Sequence, residues 1–232
     1  MSQPPSSFQP FSFPKQAEFN RVLPKSKIYE HGKPSRAVRD CFVAQINQIV
    51  WHYKLAPETI NLPSRPSAPE IEVFAIDLKT ADVSEDVLRC IDKSIPLPIF
   101  CNLSFQGRVK TVAAYKRPSD AGHWVVDAYF ASPWSPARAD SQSRHAPQPV
   151  PLPLALDMAG LYEQMLRRLM PLPARAGETL KDHVERLTLL RGKQNEHAKL
   201  KALVHREKQF NRKVEKNAQL RTLKSEIDAL VR

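Results

Sequence analysis

A chain of 232 residues with 42% hydrophobic content can hold one ordinary domain plus an appendage, and its net charge of +11 favours an acidic partner, either nucleic acid or the negative face of another protein. Cys41, Cys90 and Cys101 are odd in number, show no zinc-site spacing, and read as reduced thiols among apolar neighbours. No basic-then-apolar leader opens the sequence and no window nears the ~20 apolar residues of a membrane span, so a soluble, cytoplasmic protein is expected.

Residues 1–18, rich in Pro, Ser and Gln around Phe8, Phe11 and Phe13, predict a disordered tail or an extended arm laid across the domain. Residues 22–33 form a short ordered lead-in. Ser35 can cap a helix over 36–53, whose apolar face is Val38, Phe42, Ile46, Ile49 and Tyr53. After the Pro/Ser run 63–69, Ile71–Asp77 alternates as a strand. Ser84-Glu85-Asp86 starts a second helix carrying Val87, Leu88, Ile91 and Ile95 until Pro96 stops it.

Residues 99–105 and 109–115 then read as a hairpin around Gln106-Gly107-Arg108, where the glycine supplies the positive φ of a tight turn. Trp124–Phe130 is a fourth strand. Residues 135–153 are a Pro- and Ser-rich loop, and Asp157 can cap a helix through Met158, Leu161, Met165 and Leu169. The expected fold class is α+β: a small mixed or antiparallel sheet over 19–134, packed by helices, with the helix of 154–173 completing the core.

From Thr179 the composition changes. Thr179-Leu180-Lys181-Asp182 fits a capping box, and no proline follows. Leu180, Val184, Leu187, Leu200, Leu203, Val204, Phe210, Val214, Leu220, Leu223, Ile227 and Leu230 approximate a heptad seam. A long coiled-coil helix over 179–232 is predicted, a rod of ~80 Å at ~1.5 Å per residue. Arg191–Lys199 interrupts the seam and contains Gly192, so the rod is locally weak there or bends back as two antiparallel helices.

This segment has 14 Lys/Arg against 7 Asp/Glu, placing +7 of the chain's +11 there. Lys201, His205, Lys208, Arg212 and Lys216 recur every three or four residues and would form one stripe on a continuous helix. Such a stripe can track phosphates, or be a solvated coiled-coil face whose charges choose a protein partner. Phe210, with Asn211 and Asn217, is either a specificity patch or a contact with the domain.

Asp77-Leu78-Lys79 invites a metal-dependent nuclease reading, which needs a second carboxylate; only Glu70 and Glu72 precede it closely. The seven histidines are dispersed, and no phosphate loop, dinucleotide fingerprint or nucleophile elbow occurs. No catalytic residue, metal or cofactor is therefore assigned.

Ile49-Val50-Trp51-His52-Tyr53-Lys54-Leu55-Ala56-Pro57-Glu58-Thr59-Ile60-Asn61 resembles a W-x-x-K-L-x-P-E-T-I-N signature. Ile91-Asp92-Lys93-Ser94-Ile95-Pro96, Tyr115-Lys116-Arg117, Tyr129-Phe130 and Gln209-Phe210-Asn211-Arg212-Lys213 follow in matching order. Together they resemble the bacterial family called domain of unknown function 4391, from about Phe19 to the C-terminus. The proline-rich tail and the loop at 135–153 depart from it.

The resemblance implies an accessory protein of the kind encoded beside a helicase and a DNA methyltransferase in restriction-like antiphage defence clusters. The expected function is thus a non-enzymatic adaptor. It would bind those partners through a coiled coil that also offers a route to DNA contact and to a homodimer. The alternative is a metal-dependent nuclease or other hydrolase.

Overall fold

The computed structural model describes residues 11–119, 122–137 and 149–232, in two compact units that divide between Met170 and Pro171. Residues 1–10 of the predicted tail and 138–148 of the predicted loop lie outside the described residues. The architecture is α+β, with mostly antiparallel strands and a long C-terminal helix followed by another.

In chain order the first unit contains β1 (Phe11–Ser12), β2 (Glu18–Val22), α1 (Lys25–Gly32), α2 (Arg36–Gln45), β3 (Ile46–Leu55), α3 (Pro57–Ile60) and β4 (Ile71–Leu78). Then come α4 (Glu85–Ser94), β5 (Ile99–Phe105), β6 (Arg108–Pro118), β7 (Trp124–Ala131), β8 (Ser135–Pro136), β9 (Val150–Pro151) and α5 (Met158–Arg167). The main sheet runs β2-β3-β4-β5-β6-β7, with β8 added to β6. Within this sheet, among the described residues, only β4 and β5 are parallel, and α4 is their crossover, since parallel neighbours cannot be joined by a tight turn.

β4 is the centre because it can be buried on both faces. All its residues are buried except Ala75 and Asp77, as expected of a strand covered on both sides. Phe74, Ile76 and Leu78 share one core cluster with Val87, Leu88 and Ile91 of α4, Phe42 of α2 and Ile28 of α1. Helices α1 and α4 approach so closely that a Cβ on Gly32 would stand 2.9 Å from the Cys90 carbonyl oxygen, so only glycine fits there. The turn between β5 and β6 has positive φ at both Gln106 (45°) and Gly107 (72°), the type I′ pattern that matches strand twist.

The expected helix over 36–53 is corrected. Ser35 caps it as predicted, accepting from the Val38 N–H, but helix ends at Gln45 and Ile46 begins β3. From Ile46 to Tyr53 the run is rich in β-branched and aromatic residues, and its backbone pairs with β2 on one side and β4 on the other. Lys25 Nζ donates to the Phe42 and Ile46 carbonyls (3.2 and 2.6 Å), and Lys79 Nζ to that of Val43 (2.9 Å). Two ammonium groups therefore satisfy the C-terminal carbonyls of α2 where helix gives way to strand. The lead-in at 22–33 is mostly helix α1, and Phe11–Ser12 of the predicted tail pairs with β9.

The second unit is an antiparallel helical hairpin, α6 (Leu180–Arg206) and α7 (Phe210–Val231). Of the two expected forms, a continuous rod or two antiparallel helices, the second is found, with the reversal at Glu207-Lys208-Gln209 rather than near Gly192. Glu207 organises it: its Oε1 accepts from the Lys208 and Gln209 N–H groups, and its Oε2 pairs with Lys216 Nζ at 2.5 Å. Thr179 caps α6 by accepting from the Asp182 N–H, while Asp182 accepts from the threonine hydroxyl instead of reaching back to a backbone N–H.

At the open end of the hairpin, Arg186 forks onto Glu178 (2.6 and 2.9 Å) and donates to the Pro173 and Leu230 carbonyls. Arg175 takes the Ala229 carbonyl, so two guanidinium groups meet the negative end of α7. Arg186→Met is expected to cost about 1.5–3 kcal/mol, the worth of charge-assisted hydrogen bonds, seen as an earlier urea transition by circular dichroism. The Arg186 guanidinium holds Glu178 down at about 2, below its unfolded value. That contribution is complete above pH ~4.5 and is lost as pH falls through 2.

Candidate functional site

Three of the short motifs singled out in the sequence meet inside the first unit. Buried Asp92 from α4 and Lys116 from β6 form one network with half-buried Tyr129 from β7. A register shift between Tyr115 and Lys116 aims the lysine at the end of α4. Lys116 Nζ donates to the Asp92 carbonyl (2.6 Å), to the Ile95 carbonyl, and to Asp92 Oδ1 at 3.4 Å. Tyr129 donates its hydroxyl to Asp92 Oδ2 at 2.5 Å.

Burial pushes the Asp92 carboxyl up and the Lys116 ammonium down, and each is opposed by the other's charge. Tyr162 of α5 adds a second tie, accepting from the Lys116 N–H and donating to the Ala114 carbonyl. Lys116 is 1% exposed and its three protons have oxygen partners, so it has neither access nor a spare lone pair for substrate. The network is a staple that pins the C-terminus of α4 to the sheet.

Asp77 and Lys79 lie at the end of β4, each held by neighbouring groups. Asp77 accepts from Asn47 Nδ2 (2.7 Å) and Ser104 Oγ (3.2 Å), and Lys79 is engaged by α2. Glu72 sits five residues back on the same strand, 1% exposed, and neither of its oxygens has a hydrogen-bond partner. Burial raises it to about 8; the nearby Trp51 indole pulls it down, Glu70 pushes it up, and neither is aligned as a hydrogen bond. Among the described residues no group of three His, Cys, Asp or Glu could hold a metal ion.

The basic residues of the second unit are rearranged by the hairpin. Lys201 and His205 stand on α6, Lys208 in the turn, and Arg212 and Lys216 on α7, so the single stripe is broken. Lys216 is tied to Glu207. Phe210 and Asn211 begin α7, with Phe210 78% exposed.

What the structure brings together is a different set. A trough of about 690 Å³ runs between the helices, lined by Ala198, Lys201, Ala202 and His205 of α6 and by Lys213, Asn217 and Leu220 of α7. It continues past His197 to Arg221, Lys224 and Ile227. Lys201, Lys213, Arg221 and Lys224 make no carboxylate pair among the described residues, whereas Lys193 pairs with Glu226 elsewhere on the hairpin.

The seam beneath the trough is only half closed. Leu200, Val204, Leu220, Ile227 and Leu230 are partly buried, and Leu223 alone on α7 is fully so. The sequence reading placed Lys201 and His205 on the basic stripe, Leu220 in the apolar seam and Asn217 beside Phe210, but gave Lys213 and Lys224 no site role. The steps of seven from Lys213 to Leu220 and of four from Leu220 to Lys224 were the available signal, obscured by reading one stripe across both helices.

The family model described as domain of unknown function (DUF4391) matches residues 11–227. No curated protein and no solved structure matches. No helix among the described residues is long and apolar enough to cross a membrane. The chain belongs to the family of domain of unknown function DUF4391.

Proposed function

We propose that this family member is a non-enzymatic accessory subunit that engages a protein partner through the trough of its C-terminal hairpin. The observation that carries the reading is the trough itself: an incompletely buried apolar seam under four basic side chains with no carboxylate partner among the described residues. Two helices bury one seam, and the partly exposed leucines beneath it favour a further element. The closed Asp92–Lys116–Tyr129 network and the engaged Lys79 favour a structural role for the first unit over a catalytic one.

Resemblance to accessory proteins, rather than any feature of the site, points to a DNA-modification or antiphage defence assembly, with a helicase or DNA methyltransferase as the partner. DNA contact is a second reading, favoured by the +7 charge of the C-terminal segment. The test is affinity capture from the native host with the full chain and with a Lys201→Glu, Lys213→Glu, Lys224→Glu triple variant. A partner captured by the former is expected to be at least tenfold depleted with the latter. Equal capture by both would remove the trough from the assembly.

A further inference from the structure

Resting on that reading, we infer that the occupant of the trough is an acidic amphipathic α-helix of a partner protein, which lies along α6 and α7 and completes a three-helix bundle. Shape is the first argument. Packed helices stand 8–10 Å apart, and the cleft between two of them accepts one more helix of ~10 Å diameter. A DNA duplex would not enter it, because even the major groove, ~12 Å wide, admits a single helix rather than a packed pair.

Periodicity is the second argument. Along the trough α6 offers residues 194, 198, 201 and 205, and α7 offers 213, 217, 220, 224 and 227, each at three- and four-residue steps. That is the spacing with which a third helix interdigitates. Ala198 and Ala202 provide a low floor where another helix can approach, and Leu220 and Ile227 give its apolar stripe a partner. Asn217, mid-trough and exposed, is a polar group of the kind that fixes register in helical seams.

Charge decides between partners. Lys201, Lys213, Arg221 and Lys224 rim the trough, with Asp228 the acid at one end. A second copy of the hairpin docked on the same face would set lysines against lysines, so a homodimer through this face is disfavoured. A helix with glutamates flanking its apolar stripe matches it.

The experiment titrates the full chain with a labelled three-heptad peptide carrying Leu at its a and d positions and Glu at e and g. Fluorescence anisotropy gives the affinity. A scrambled peptide of identical composition and a 20-base-pair duplex are the competitors. Saturable binding is expected, at least tenfold weaker for the scrambled peptide and for the triple Lys→Glu variant. Ala202→Arg, which fills the trough and adds positive charge, should abolish peptide binding without weakening any attraction for the duplex.

Equal binding of the scrambled peptide, displacement by the duplex, or full peptide binding by Ala202→Arg would overturn the inference. So would failure of the peptide to bind while the triple variant still loses its partner in capture from the host. In that last case the accessory reading survives and only the helical occupant is lost.

Discussion

Lys116→Met is expected to destabilise the first unit by about 3–5 kcal/mol, the cost of leaving one member of a buried ion pair without the other. The lysine is 1% exposed, and its loss strands the Asp92 carboxylate and uncaps the Asp92 and Ile95 carbonyls at the end of α4. Methionine keeps most of the volume, so the effect reports charge and hydrogen bonding rather than a cavity. Urea unfolding followed by tryptophan fluorescence measures it. The double variant Lys116→Met, Asp92→Leu should recover much of the loss, because an apolar pair of similar volume carries no desolvation penalty. A cost below 1 kcal/mol for Lys116→Met would show that the network does not hold α4 to the sheet.

Glu72 carries the second large effect, and it has a sign. Its folded value of about 8 lies above the ~4.5 of an unfolded glutamate, so folding takes up a proton between those limits. The contribution is complete below pH ~4.5 and drains away as pH rises through 8. A carboxyl displaced this far makes the stability fall by several kcal/mol, at most ~5, across that window. Glu72→Gln should be more stable than the wild type at pH 8 and flatten its pH dependence between 5 and 8. Urea midpoints at the two pH values test this, and an unchanged slope in the variant would assign the dependence to other groups.

Much of the first unit was legible because its local signals agreed. The alternation of β4, the Ser84 cap of α4 and the Gln106-Gly107 turn each stand where the residues put them. The failure at Ile46 is instructive. Val38, Phe42, Ile46, Ile49 and Tyr53 keep helical spacing throughout, yet pairing with strands on both sides outweighs that periodicity from Ile46 onward. Ile46 and Ile49 are buried in either conformation, so the pattern of apolar residues could not separate them.

The candidate site was harder to read for a different reason. A stripe at one helical period holds only while the helix continues, and the reversal at Glu207–Gln209 contains neither glycine nor proline. Glutamate supplies the turn by accepting from two backbone N–H groups, a role that composition does not advertise. Once the helices fold back, Lys201 gains Lys213 and Lys224 as trough neighbours, while Lys216 is drawn into the turn. Likewise, Asp92, Lys116 and Tyr129 were visible as separate motif residues, and only the sheet order with the irregularity at Lys116 makes them one network.

Site-specific photocrosslinking of the full chain in its native host tests the central claim most directly. A diazirine side chain is placed at Ala202 in the trough, or at Glu185 elsewhere on α6 as the control. The predicted result is an adduct from Ala202 and not from Glu185, with mass spectrometry mapping the captured peptide to an acidic segment of helical period in a protein. Adducts to nucleic acid, equal yields from the two positions, or no adduct from Ala202 would contradict a protein partner seated between α6 and α7.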